Sequence, residues 1–362
     1  MLNLFNLGQW ARNGGMTCVI LTAAVFVASS AVAQERREIN EGTVINGVTV
    51  QWGQDDVIVN GGNFQNGMIG GSITREVTNV TLNAGAGTGS SNQQGSTVTG
   101  SVDVKGGAFH NVAGGTVGAF NLSPGGGFTN DGTVTGTGTV SGGVLNNTGA
   151  VSALTQNDGT VHNSGKITGV TTLSGTGTFN NRSGGTLAEL IYNGGTYNDQ
   201  GGTIDSLTLG GNTGAANFGT VNSLSFSDTG SGILGITGTW SGDGFDFAGI
   251  NVSGTANLMK GGIALNLVGY ENDFFAADNG LLFSLNDLFG SSADIVGMDS
   301  LAFFAISFDG RDYMVNGDDF GWGWRMDEFG NVSYSNEVPE PATLVMLGLG
   351  LTGLGLARRR RK

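Results

Sequence analysis

Short apolar stretches that alternate with small polar residues recur through the middle of the chain, between positions 109 and 221. The clearest unit reads apolar-x-Asn-x-Gly-x-apolar and occurs at 128–134, 145–151 and 161–167. Asparagine or aspartate returns at one position of the unit every 16 to 19 residues: Asn111, Asn130, Asn147, Asn163, Asn181, Asp199 and Asn217. A period near 18 built from short β-type runs predicts one coil per repeat, each stacked on the next.

These repeats predict an all-β fold whose main part is a parallel β-solenoid, specifically a right-handed β-helix, over 34–230. Val, Ile, Phe and Thr favour strands, and no single coil could bury its apolar face alone. Asn and Gly are expected where each coil turns a corner with left-handed backbone angles, and in-register Asn could also form a ladder between coils. Residues 84–95 lack apolar side chains larger than Ala, so a flexible insertion is expected there. A disordered Gly/Asn/Thr-rich linker is the alternative to the solenoid.

The amino-acid composition changes after about residue 231, where aromatic and acidic residues become frequent. Strands are expected at 263–268, 281–285 and 301–308, with a turn at 327–331. These longer strands predict a smaller antiparallel β cap or sandwich over 231–336. Trp322 and Trp324 alternate with small residues, which fits either the cap itself or a platform on which sugar rings stack.

The first 33 residues have the features of a secretory signal peptide, expected to form a helix. An apolar run ends in the small residues Ala31 and Ala33, so cleavage before Gln34 is expected. Translation could begin at Met1 or at Met16. Cys18 is the only cysteine and leaves with the signal, which excludes disulfides and a thiol nucleophile from the mature protein.

The last 26 residues, 337–362, contain three elements in a fixed order. Pro339, Glu340 and Pro341 are followed by an apolar run at 342–357, and the chain ends in a cationic cluster. That cluster consists of Arg358, Arg359, Arg360, Arg361 and Lys362. As a helix the apolar run would span about 24 Å, less than the roughly 30 Å of a bilayer's hydrocarbon core. We expect a temporary transmembrane stop with its cations on the cytoplasmic side, although a permanent single-pass anchor is the alternative.

This arrangement resembles the PEP-CTERM sorting signal of Gram-negative bacteria. The resemblance implies export through the Sec translocon and processing by exosortase, a membrane-embedded protease that recognises the Pro-Glu-Pro triplet. It also implies transient anchoring, followed by release to the cell surface, outer envelope or extracellular matrix. The repeats loosely resemble the passengers of bacterial autotransporters and adhesins, although no translocating barrel is expected in this sequence.

Charge narrows the range of partners. Nine basic and 29 acidic residues lie between positions 35 and 340, so the exported part carries a net charge of −20. This charge argues against nucleic acids and anionic membrane surfaces as partners. Extracellular polysaccharide or envelope components are the expected partners, and no cofactor is expected.

Candidate chemical groups are few. His110 and His162, the only histidines, fall at outward positions of the repeats. Residues 241–248 approach a calcium-binding nonapeptide, with Asp243 and Asp246 as weak Ca²⁺ ligands. Two acidic pairs could also bind Ca²⁺ through oxygen ligands: Asp309 with Asp312, and Asp318 with Asp319. Solvated turns are the alternative for all of these carboxylates.

Threonines form a second candidate feature. Thr133, Thr186, Thr203 and Thr220 hold equivalent repeat positions, interrupted by Ala150 and Lys166. A flat outward array of threonines on a solenoid would suit ice binding, whereas Thr is also an ordinary exposed strand residue.

The sequence favours a non-catalytic structural or adhesive protein of the cell surface or extracellular matrix. A GxGxxG pattern at 348–353 lies within the apolar tail and is not a nucleotide site, and zinc-protease, nucleophile-elbow and phosphate-loop motifs are missing from the sequence. The alternatives are a secreted polysaccharide-active enzyme on a β-helix, using Asp309 and Asp312, and an ice-binding solenoid.

Overall fold

A computed structural model describes residues 35–46, 55–67, 75–213, 217–228, 232–241, 244–269, 280–301, 303–308, 311–315 and 324–334. Within these ranges the chain is almost entirely β-strand. Strands β1 to β19 are Arg36–Ile39, Thr43–Asn46, Asp56–Val59, Asn63–Asn66, Glu76–Val77, Asn79–Leu82, Ser90–Asn92, Thr97–Val104, Gly107–Asn111, Thr116–Leu122, Gly126–Asn130, Thr133–Asn147, Ala150–Asn163, Lys166–Leu173, Thr178–Arg182, Thr186–Tyr192, Thr196–Gln200, Thr203–Leu209 and Gly219–Phe226.

Ten further strands and two short helical elements complete the described part of the chain. Strands β20 to β29 are Ile233–Trp240, Phe245–Ala248, Ile250–Asn257, Gly262–Val268, Gly280–Ser284, Asp294–Val296, Phe303–Phe308, Arg311–Val315, Trp324–Met326 and Asn331–Tyr334. Helix α1 spans Leu285–Phe289, and a single 3-10 turn spans Met298–Ser300.

Strands β1 to β19 form a parallel β-solenoid of about nine turns, as the repeats predicted. A turn contains up to three strand segments, and each segment pairs in parallel with its equivalent one turn later. The first two segments of one turn lie in β8 and the third is β9; these pair with β10 and β11 of the next turn. In β12 and β13 the segments run together, which gives strands of 15 and 14 residues. The handedness of the coil stays a prediction.

Alternation along each strand sorts the side chains into an interior and an exterior. One interior column, in register through the parallel pairs, consists of Val98, Val117, Val134, Val151 and Ile167, all fully buried. A second column contains the stacked rings of Phe109 and Phe128, whose centroids are 5.7 Å apart. Each interior residue packs on its equivalents above and below, so stacking of the turns supplies the core.

A row of buried amides, here called the asparagine ladder, runs beside this core. Eight asparagines occupy the same position at the end of the third segment in successive turns: Asn46, Asn66, Asn92, Asn111, Asn130, Asn147, Asn163 and Asn181. Each of the first seven donates from its side-chain Nδ2 to Oδ1 of the next, over 2.8 to 3.0 Å. All eight are at most 1% exposed. The expected ladder is therefore confirmed, and it satisfies amides that would otherwise be buried without partners.

The backbone role expected of these asparagines is wrong. Among the described residues, Lys260 is the one non-glycine residue with a positive φ, so the ladder asparagines do not adopt left-handed angles. They are extended strand residues whose amides face inward. The glycine of the Asn-x-Gly unit is needed for close approach of the turns. A Cβ on Gly149 would lie 2.1 Å from the carbonyl oxygen of Gly132, and one on Gly165 would lie 2.2 Å from that of Gly149.

The flexible insertion expected at 84–95 is also wrong in part. Residues Ser90–Asn92 form β7, which pairs with β4 below and β9 above. Asn92 is a ladder residue, and the hydroxyl of Ser90 accepts a hydrogen bond of 3.0 Å from the backbone N–H of Phe64. This small polar segment is ordered because its partners belong to neighbouring turns.

The region after β19 is a mixed arrangement, not the antiparallel cap that was expected. β22 continues the parallel stacking on β19, and β25 follows on β22. β20, β23 and β26 form a second parallel group, with β21 and β27 antiparallel at its two edges. Within the described residues, β24, β29 and β28 form a separate, purely antiparallel sheet. The strands expected at 263–268, 281–285 and 301–308 are confirmed as β23, β24 and β26 with shifted ends, because Leu285 already begins α1.

The predicted signal helix at 1–33 and the predicted C-terminal hydrophobic helix lie outside the described residues, and the structure gives neither any support. Within the described ranges, the structure contains no helix with the length and apolar character needed to span a bilayer.

Candidate functional site

A groove of about 550 Å³, here called the outer groove, lies on the exterior of β14, β16, β18, β19 and β22. Its lining residues are outward-facing polar side chains and one alanine, with two apolar residues beneath: Lys166, Thr168, Thr186, Ala188, Thr203, Asp205, Thr220, Asn222 and Ser253, over Leu187 and Ile204. The groove therefore crosses five successive strands along the direction in which the turns stack.

Strand alternation positions these side chains. In β16, Leu187 points into the core while Thr186 and Ala188 flank it on the outside. The same pattern in the other strands gives two outward columns: the first with Lys166, Thr186, Thr203 and Thr220, the second with Thr168, Ala188, Asp205, Asn222 and Ser253. Ala188 has the smallest side chain of the second column, where it lies between Thr168 and Asp205.

The equivalence predicted for four threonines is confirmed by strand register. Thr133, Ala150, Lys166, Thr186 and Thr203 pair in that order from turn to turn. Thr220 follows because the adjacent Val221 pairs with Ile204. Ala150 and Lys166 interrupt the column, as the sequence indicated. The second column was missed, although its positions could have been found two residues after each of these threonines.

Several polar groups of the outer groove lack protein partners. Within the described ranges, no hydrogen bond involves the side-chain hydroxyls of Thr168, Thr186, Thr203 and Thr220. In contrast, Thr99 in an earlier turn donates to the carbonyl oxygen of Val77 over 3.4 Å. The outer groove thus offers hydroxyl groups that are available to a ligand.

The outer groove is lined by one basic residue, Lys166, and one acidic residue, Asp205. Lys166 makes no ion pair within the described part of the chain. Asp205 accepts a hydrogen bond of 3.2 Å from the Nδ2 of Asn222, which orients its carboxylate. The groove as a whole therefore carries no net charge, although the exported chain is strongly acidic.

The two histidines lie in one outward column on the third segments, as expected, three turns apart. His110 Nε2 lies 2.6 Å from Asp131 Oδ2, and Thr148 donates to the other carboxylate oxygen over 2.5 Å. Partial burial acts to raise the pKa of Asp131, but the hydrogen bonds from Thr148 and His110 and the nearby imidazole lower it overall. Because the carboxylate lies between the other two groups, the imidazole does not contact the hydroxyl and cannot activate it as a nucleophile.

His162 has a different environment. Its Nδ1 lies 2.8 Å from Nη2 of Arg182 and 3.2 Å from Nδ2 of Asn180. Partial burial and the charge of Arg182 both lower the pKa of His162 below its ordinary value. This histidine accepts hydrogen bonds as a neutral imidazole, and within the described ranges no hydrogen bond or ion pair joins it to a carboxylate.

The weak calcium candidates lie only partly within the described residues. Asp246 is exposed on β21, opposite Thr239 of β20, and Ser241 donates to the carbonyl oxygen of Gly244 in the hairpin turn. Asp243 lies outside the described residues, as do Asp309, Asp318 and Asp319, while Asp312 lies on β27 opposite Ser307. No group of three or more His, Cys, Asp or Glu side chains gathers within the described ranges. Trp322 is also outside them, and Trp324 begins β28.

Comparison with known protein families identifies a motif at the C-terminus of the chain. A family model described as the PEP-CTERM protein-sorting motif matches residues 337–362. The chain carries a PEP-CTERM sorting motif. This motif indicates export to the cell surface or extracellular space, with processing by an exosortase during export. Searches of curated proteins and of solved structures find no match.

The residues predicted to act in sorting lie outside the described part of the chain. They are the triplet Pro339, Glu340 and Pro341, the cationic stop from Arg358 to Lys362, and the signal-cleavage residues Ala31, Ala33 and Gln34. The matched range contains the triplet and the stop, while their individual roles stay predictions.

Proposed function

We propose that the exported protein is a non-catalytic structural component of the cell surface or extracellular matrix, in which the solenoid is a stiff spacer with a polar exterior. The asparagine ladder carries this proposal. It runs without interruption from Asn46 to Asn181 and ties successive turns together by side-chain as well as backbone hydrogen bonds. At about 4.8 Å per turn, nine turns span about 43 Å.

The route to that location rests on the termini. We infer a Sec-dependent signal cleaved before Gln34, and exosortase processing near Pro339, Glu340 and Pro341 while Arg358 to Lys362 hold the tail at the cytoplasmic face. The final site is the outer envelope or matrix of a Gram-negative bacterium. The solenoid is acidic overall, but its outer groove carries no net charge. Matrix polysaccharide or envelope components are the partners that such a surface favours.

A structural role is favoured over catalysis by the chemistry of the solenoid exterior. The His110–Asp131–Thr148 arrangement has its carboxylate in the centre, which does not suit nucleophile activation. The outer groove contains one carboxylate, Asp205, whereas hydrolysis of a glycoside generally uses a pair. Ice binding is disfavoured because Ala150 and Lys166 interrupt the threonine column, and its last members border a concave groove, not a flat array.

The test compares cells that produce the full chain with cells that produce a variant ending at Val338. We expect the full chain in the surface or matrix fraction with a processed C-terminus, and the truncated variant free in the medium. Mass spectrometry of the recovered C-terminus locates the cleavage. Matrix cohesion under shear should fall in the truncated strain to the level of a strain without the protein.

Two results would contradict the proposal. Release of new reducing ends from any polysaccharide by the exported protein would support the enzyme alternative. Unchanged matrix cohesion in cells without the protein would remove the structural role. A variant in which the outward Asn146 is replaced by Ser serves as a control, since it should be sorted and should function as the parent does.

A further inference from the structure

We propose that the outer groove binds a neutral, extended polysaccharide chain lying along the axis of the solenoid. This inference rests on the proposed matrix role and assigns it a site. The groove combines free hydroxyls, a carboxylate and an ammonium group within one concavity, and sugar hydroxyls can both donate to and accept from such groups.

The charges of the groove and of the whole exported chain favour a neutral ligand. Lys166 and Asp205 balance each other within the groove, so it offers no cationic cluster to hold a polyanion. The exported chain carries a net charge of −20 over positions 35 to 340 and repels acidic polysaccharides over distances of about a Debye length. A hydroxyl-rich chain without charge meets neither obstacle.

The stacking direction selects an extended ligand. The threonines at 186 and 203 pair from turn to turn, and that of 220 follows in the next turn, so the free hydroxyls repeat about every 4.8 Å along the groove. This repeat is comparable with the length of one sugar unit in an extended chain. Each turn can therefore offer similar contacts to successive sugars, and weak contacts add along the polymer.

Ala188 has the smallest side chain among the residues that line the groove. It lies between Thr168 and Asp205 in the second column, where a larger side chain would fill the groove. Its methyl group and the underlying Leu187 and Ile204 provide an apolar floor for the C–H face of a sugar ring. Asp205, oriented by Asn222, provides the fixed acceptor next to that floor.

The test is affinity electrophoresis of the exported protein, recovered from producing cells, in gels that contain one polysaccharide each. Hydroxyethyl cellulose and dextran are the neutral probes, and polygalacturonate is the acidic probe. We expect retardation by at least one neutral probe and none by polygalacturonate. Ala188→Arg, which fills the groove, should weaken the apparent affinity at least tenfold.

The matched control is Ala153→Arg, which places the same side chain on an outward, half-buried alanine of β13, outside the groove. It should be retarded as the parent is. Thr186→Val with Thr203→Val removes two hydroxyls with little change in shape and should also weaken binding, which covers the case in which Ala188→Arg fails to fold.

Several outcomes would overturn the assignment. These are equal retardation of the parent and Ala188→Arg, retardation of the parent by polygalacturonate alone, and no retardation by either neutral probe. Thermal hysteresis of ice that Ala188→Arg abolishes would assign the groove to ice instead. Normal matrix cohesion in cells that produce Ala188→Arg would leave the proposed structural role standing without this site, so the two failures are distinguishable.

Discussion

Asn130 donates a hydrogen bond from its side-chain Nδ2 to Oδ1 of Asn147 over 2.8 Å, although 17 residues separate them in the chain. The same amide accepts from Asn111 and donates to the carbonyl oxygen of Ala150. One side chain thus connects three turns of the solenoid. The strength of this connection can be measured by removing it.

Asn130→Leu should lower the free energy of unfolding by about 3 kcal/mol, because it leaves the buried amide groups of Asn111 and Asn147 without their partner. Urea denaturation followed by circular dichroism measures the change. Asn146→Leu alters the outward neighbour in the same strand and should change stability by no more than about 0.5 kcal/mol. Equal effects of the two substitutions would show that the ladder contributes nothing of its own.

The glycine of the repeat gives a second prediction. Gly149→Ala should destabilise the protein by about 3 kcal/mol, at the upper end of overpacking costs, because the new Cβ would meet the carbonyl oxygen of Gly132 at 2.1 Å. Gly127→Ala is the control, since its Cβ would meet the Cβ of Ala108 at an ordinary 3.5 Å. That control should lie within about 1 kcal/mol of the parent. A mild Gly149→Ala would mean that the turns can separate at little cost.

Much of this fold could be predicted because the pattern of inward and outward residues is local to each strand. The 18-residue period and the in-register asparagines follow directly from residues 111 to 199. The earlier ladder positions Asn46, Asn66 and Asn92 were missed, since their spacings of 20 and 26 residues depart from the period. Ser90 also occupies the position two residues before a ladder asparagine that is apolar in other turns, as at Phe109. The local polarity therefore indicated a loop, although pairing with the neighbouring turns makes this segment a strand.

The outer groove could not be predicted from the threonine positions alone. Its concavity depends on the relative sizes of side chains in different turns, above all on Ala188 between Thr168 and Asp205. The register of the stacked turns brings these residues together, and it shifts by one residue after Ile167 where β14 pairs with β16. A column of threonines was therefore predictable, whereas its shape was not.

Asp199 takes the next position of the asparagine ladder, in register with Asn181. Burial raises the pKa of Asp199, and this effect exceeds the lowering of the pKa by backbone hydrogen bonds from Gly202 and Gly201. The folded state therefore binds more protons than the unfolded state above pH 3.8, and stability falls as the pH rises through the raised pKa. Asp199→Asn should raise Tm at pH 7 by about 2 °C, the scale of a change below 1 kcal/mol, and the gain should vanish near pH 3.

Asp131→Asn is the control of opposite sign. The lowered pKa of Asp131 contributes stability that is present above pH 3.8 and is lost as the pH falls through the folded value. Its replacement should lower Tm at pH 7 and have little effect at pH 2. Scanning calorimetry across this range measures both variants, and shifts of the same sign would contradict the assigned environments.

The environment of His162 can be tested by titration. Arg182→Gln should raise the pKa of His162 towards its ordinary value, because the guanidinium charge disfavours the imidazolium, while partial burial remains. Arg182→Lys keeps the charge and should keep the pKa low. NMR titration in a His110→Asn background isolates the signal, since the chain has two histidines. An unchanged pKa in Arg182→Gln would leave burial as the sole cause.

The interior also contains a hydroxyl without a partner. Thr171 is fully buried, and its Oγ1 makes no hydrogen bond within the described ranges. The equivalent residues in the neighbouring turns are apolar, Leu154 below and Leu190 above, so they offer the hydroxyl no partner. Burying an unpaired hydroxyl costs about 1 to 3 kcal/mol, and valine has nearly the same shape. Thr171→Val should therefore raise the free energy of unfolding by about 1 kcal/mol. Thr172→Val, on the outward face of the same strand, should have little effect. A loss of stability in Thr171→Val would show instead that the hydroxyl is bonded, for example to a buried water.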